Sequence, residues 1–106
     1  MSNCNGESYL NESAYRGATV ELSYGLNPLS DMTDWTCSVD VVSTSGDVKI
    51  TKSLTILSTD TFKRQGYLTS AETLSLTKGT YTLVATLSNS TTDRVGIVHN
   101  ELEILG

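Results

Sequence analysis

Positive charge is scarce in this sequence. Its 106 residues hold seven Lys and Arg against twelve Asp and Glu, for a formal net charge of −5. The seven cations (Arg16, Lys49, Lys52, Lys63, Arg64, Lys78, Arg94) are scattered along the chain. Nucleic-acid binding needs clustered cations that displace counterions, so no nucleic acid is expected as a partner. Proline occurs once, at Pro28, which excludes a Pro-rich stalk or linker. Histidine also occurs once. Catalysis by His99 would need a nucleophile and an orienting acid, and a lone strand histidine supplies neither. The two cysteines, Cys4 and Cys37, form with His99 no spacing suited to the four donors of a zinc site. No apolar run approaches the roughly 20 residues of a membrane span, so no membrane partner is expected. The first fifteen residues lack a basic-then-apolar pattern, so no signal peptide is expected. That places synthesis in a cytoplasm, where thiols stay reduced. A Cys4–Cys37 disulfide is therefore not expected. Cys37 shares a strand face with Trp35, Val39 and Val41 and reads as a small buried hydrophobe. No cofactor is implied.

What the chain does contain is Ser, Thr and β-branched residues, which suit pleated, half-buried surfaces. Its length fits one domain, able to bury roughly two-thirds of its unfolded surface. Residues 1–14 are polar and read as an N-terminal arm or a loosely held terminus. Tyr9, Leu10 and Tyr15 would anchor such an arm on a neighbour. Residues 15–106 form the domain.

Ala18 to Tyr24 alternates apolar and polar, as a half-buried strand does. Gly25 to Thr33 is a loop, because Pro28 excludes a central strand. Leu26, Leu29 and Met32 are expected to tuck it onto the core edge, where they are also candidate partner contacts. Trp35 to Ser43 and Val48 to Leu57 make a hairpin about a turn in which Gly46 can take positive φ. Lys52 breaks the apolar face of the second strand. A bulge or a switch of sheets near Lys52–Ser53 would resolve that break. Thr61 to Leu68 is a short strand with Phe62 and Leu68 in the core. Arg94 to Leu105 is the final strand, with a bend or bulge where its apolar phase changes near His99.

The densest local signals lie between Thr69 and Leu87. Thr69 followed three residues later by Glu72 is a capping box, worth about 1 kcal/mol. It predicts one helical turn near residues 70–74, since Gly79 follows too soon for a full helix. The capping box explains Glu72 better than a general-acid role does. Asp31, Asp34 and Asp40 offer oxygens to a calcium ion, but no EF-hand-like loop is present, and Asx-turn capping is the expected role. The sequons at Asn11 and Asn89 read as chance matches in a Ser/Thr-rich chain.

The count is about seven short strands with turn signals every 8–12 residues, which predicts an all-β, antiparallel β-sandwich. Within it, Leu76, Gly79 and Tyr81 form a Leu-x-x-Gly-x-Tyr element that resembles the tyrosine corner of immunoglobulin-like domains. Trp35 resembles the buried Trp of that architecture. Leu83 stands where antibody domains carry their second disulfide Cys, so the antibody-type bridge is missing. A closer resemblance covers most of residues 15–105. It rests on Arg16-Gly17, on Asp31 to Trp35, on Ser45-Gly46-Asp47, and on Leu68-Thr69 through Glu72-Thr73 and Leu76 to Tyr81. In this order they resemble the Ig-like domain of tailed-bacteriophage baseplate upper, tail-fibre and head-decoration proteins. The resemblance implies a non-enzymatic virion structural protein, present in several copies or as a homo-oligomer among other virion proteins. Assembly at the tail, neck or fibre-attachment region is the leading expectation. Capsid decoration on the head, or a host-surface or carbohydrate-binding module using Tyr9, Tyr15, Tyr24 and Tyr67, are the alternatives.

Overall fold

A computed structural model describes residues 12–26, 31–56, 61–89, 91–92 and 94–106. Among these, seven strands and one short helix follow in the order β1 (Glu12–Tyr15), β2 (Val20–Gly25), β3 (Thr36–Ser43), β4 (Val48–Ile56), β5 (Lys63–Leu68), α1 (Ser70–Leu74), β6 (Gly79–Asn89) and β7 (Arg94–Leu105). The spatial order is β1-β7-β6-β3-β4-β5-β2. The all-β class expected from the sequence holds, and the seven strands form one mixed sheet curled nearly into a barrel.

That continuity runs through β4. Its residues from Val48 to Leu54 pair with β3, whereas Thr55 and Ile56 pair with β5. The strand thus passes from one layer to the other just beyond the Lys52–Ser53 position where a switch was expected. The bulge lies earlier. Val41 opposes Ile50 and Val42 opposes Val48, so Lys49 is the extra residue. Lys52 needs no bulge, because its ammonium pairs with Glu72 at 3.1 Å.

Period-two alternation positions the core. Tyr81, Leu83, Ala85 and Leu87 of β6 face Val98, Leu102 and Ile104 of β7 and Cys37, Val39 and Val41 of β3 within one buried cluster. The opposite layer contributes Val20, Leu22 and Tyr24 of β2 with Leu54 and Leu68. Trp35 joins the cluster just ahead of β3.

Four expectations need correction. β1 runs parallel to β7, with Glu12 opposite Leu102 and Tyr15 opposite Leu105, so the sheet is not wholly antiparallel. The same pairing brings Glu12–Ala14, assigned to the arm, into the domain. β7 carries no bulge at His99: it keeps one register with β6 from Arg94 to Ile104. Its apolar phase changes because Val95 and Ile97 face outward while Asn100 faces inward. Phe62 is exposed rather than in the core, since it precedes the first residue of β5.

Candidate functional site

The corner forms as its sequence predicts. Thr69 caps α1: its hydroxyl accepts the Glu72 N–H at 3.2 Å, and the Glu72 carboxylate accepts the Thr69 N–H at 2.8 Å. The Thr69 N–H, helped by Lys52, holds the Glu72 carboxyl below its ordinary range. The helix ends at Ser75, and Leu76 turns into the core at 3% exposure. Gly79 begins β6 at φ 151°, a backbone angle that favours glycine. Tyr81 is buried, and its hydroxyl donates to the Thr77 carbonyl at 2.8 Å and lies 3.0 Å from the Thr77 hydroxyl. That latch is the hydrogen bond a tyrosine corner requires.

A clamp of widely separated residues holds the corner to the β1–β2 turn. Thr73 is fully buried. Its hydroxyl accepts the Gly17 N–H at 3.0 Å and donates to the Ala18 carbonyl at 2.6 Å. Arg16 donates from Nε to the Leu76 carbonyl at 2.8 Å and from Nη2 to the Leu74 carbonyl at 2.7 Å. The Leu74 carbonyl is one of the orphan acceptors of the helix C-terminus, where a cation is favoured, and the Leu76 carbonyl lies just beyond the C-cap. Sequence reasoning used Arg16, Gly17 and Thr73 only as pattern points. The capping box hinted at the helix, but nothing local signalled its partner.

Polar side chains also tie the two layers together. The Tyr24 hydroxyl donates to Asn100 Oδ1 at 2.9 Å inside the molecule. The Arg64 guanidinium donates to the Trp35 carbonyl and, at 3.4 Å, to the Met32 carbonyl. Asp31 behaves as an Asx turn. Oδ1 accepts the Thr33 N–H at 2.7 Å and the Thr33 hydroxyl, and Oδ2 accepts the Thr61 hydroxyl at 2.8 Å. Those bonds lower its carboxyl below the usual range, the Thr33 hydroxyl most. Asp40 accepts the Thr51 hydroxyl at 2.8 Å across the β3–β4 hairpin. Asn89 caps its own loop through the N–H groups of Thr91 and Thr92. Cys37 is a free, buried thiol whose burial pushes its pKa up to about 12, against a smaller opposing pull from Arg64.

Of the candidate partner contacts, Leu26 and Met32 are buried at 7% and 0% exposure, which removes them from any partner surface. They fill the core edge, as the loop reading required. Tyr15 is 68% exposed. Tyr9, Leu10 and Leu29 lie outside the described residues. Sequence reasoning missed Val95 and Ile97, 59% and 53% exposed on the outer face of β7. β1 covers only Leu102–Leu105 of that strand, so from Arg94 to His99 its one ladder partner among the described residues is β6.

His99 is exposed on the same outer face, opposite Val84. Among the described residues no three His, Cys, Asp or Glu side chains converge as a metal site would. None of the described helices is long and apolar enough to cross a membrane. No protein-family model matches the chain, and no curated protein is significantly similar to it.

Proposed function

We propose that this chain is a non-enzymatic bacteriophage virion protein that assembles in several copies with other virion proteins at the tail, neck or fibre-attachment region. The sequence resemblance running from Arg16 to Tyr81 supports the virion reading. The observation that carries the assembly reading is the β7 edge. Backbone ladder groups from Arg94 to His99 have a strand on one side only among the described residues, and this stretch carries two exposed β-branched residues, Val95 and Ile97. Such an edge accepts a strand from another chain, with main-chain bonds giving affinity and alternate side chains giving specificity. In a particle, high local copy number makes weak contacts of this kind add up.

Sedimentation and particle mass spectrometry test the reading. The purified protein is expected to self-associate or to co-purify with particles. Ile97→Lys, on an exposed position, is expected to weaken association about 10-fold without unfolding the domain, because it removes one apolar side chain from the contact. A strictly monomeric protein that is absent from particles would refute the assignment.

A further inference from the structure

A crevice of about 260 Å³ lies between the β3–β4 turn and the start of β6, bordered by Ser45, Lys49, Thr77, Lys78, Gly79 and Tyr81. A hollow of about 160 Å³ adjoins it, sharing Lys49, Thr77 and Tyr81. Its two cations arrive by separate routes. Lys49 is the bulge residue of β4, and it and Val48 are both exposed where strict alternation would turn one inward. Lys78 sits in the corner, and its aliphatic stem runs beside Gly106, with Cδ 3.1 Å from where a Gly106 side chain would begin. Lys52 has Glu72 as a carboxylate partner. Among the described residues Lys49 and Lys78 have none.

Lys49 and Lys78 are both exposed, so the crevice presents two positive charges to solvent on a chain that is otherwise acidic. The lining between them is rich in hydroxyls. The Thr77 and Tyr81 hydroxyls meet at 3.0 Å, and Ser45 donates to Asp47 at 3.1 Å. Gly79 leaves the floor open, with nothing within 4 Å of where a Cβ would stand. A ligand can therefore approach the backbone there.

We propose that this crevice binds a carboxylate carried on a polyhydroxylated ligand, the chemistry of an acidic sugar. Lys49 and Lys78 take the carboxylate, and the Thr and Ser hydroxyls take the ring hydroxyls. The proposal goes beyond the virion reading and does not depend on it.

Amide NMR of the intact chain tests it, with sodium glucuronate as probe and sodium chloride at equal ionic strength as reference. Glucuronate is expected to shift the Ser45, Gly79 and Thr80 resonances, and to do so less as salt rises. Neutral glucose and acetate are each expected to shift them less. Lys49→Gln and Lys78→Gln are each expected to weaken binding about 3- to 5-fold, the range of an exposed ion pair. Lys49→Arg keeps the charge and should retain binding, as should Lys63→Gln on the other layer. Spectra that otherwise overlay the wild type confirm that the variants are folded. Shifts no larger than those from chloride, equal shifts from acetate and glucuronate, or full binding by the double Gln variant would each overturn the proposal.

Discussion

Replacing Thr73 by Val keeps the shape of the side chain and deletes one hydroxyl. That hydroxyl serves two backbone groups of the β1–β2 turn, the Gly17 N–H and the Ala18 carbonyl. Thr73 itself is at 0% exposure, so water does not reach the site from the helix side. Each stranded backbone group costs about 1–3 kcal/mol when buried. Gly17 and Ala18 are only half-buried, so the lower end applies to each, for a sum of about 2 kcal/mol. For a domain of this size that loss lowers Tm by about 10 °C. Thr73→Ser is the matched control. It keeps the hydroxyl and loses a methyl, worth about 0.8 kcal/mol in transfer alone. Urea denaturation of both variants gives the comparison. Val is expected to be the less stable of the two, although it is the more apolar residue in a buried position. If Val equals or exceeds Ser in stability, the clamp does not hold the turn and the account of how α1 is docked fails.

Three further outcomes are expected. Tyr81→Phe removes the latch to Thr77 and should cost about 1 kcal/mol in chemical denaturation, one hydrogen bond's net worth; a fully stable variant would disprove the corner. The Glu72 carboxyl is held below its ordinary range, so its contribution to stability is present at neutral pH and is lost as pH falls through its depressed folded-state value. The stability gap between wild type and Glu72→Gln should therefore close on acidification below about pH 4, and a gap that widens in acid would contradict the cap geometry. With its pKa near 12 and its side chain buried, the Cys37 thiol should resist alkylation at pH 8 in the native protein and react promptly in denaturant, as followed by mass spectrometry.

The elements legible in the sequence are those whose causes are local. The Thr69–Glu72 box and the Leu76-x-x-Gly79-x-Tyr81 element each bond within a few residues, so spacing alone encodes them. Gly46 at φ 95° was readable for the same reason, as a turn position. What escaped depends on partners far along the chain. Arg16 and Thr73 each reach more than fifty residues. Asn100 is polar yet inward because Tyr24 answers it from the facing layer, and Val95 and Ile97 are apolar yet outward. A hydropathy pattern reads those exchanges as a broken strand, whereas the ladder with β6 never changes register. Leu26 and Met32 show the converse. Loop residues that look available for a partner are already committed to the core.

The parallel pairing of β1 with β7 has a mechanical consequence. Parallel strands have their chain-start ends at the same end of the ladder, so a pull on the start of β1 and on the finish of β7 acts at opposite ends of the pair. The four residue pairs from Glu12–Leu102 to Tyr15–Leu105, with the further Arg16 N–H to Leu105 carbonyl bond, are then loaded together in shear instead of opening one after another. Tension between those two points meets its greatest resistance at the first step, and single-molecule extension should show one abrupt rupture whose rate follows the unfolding barrier.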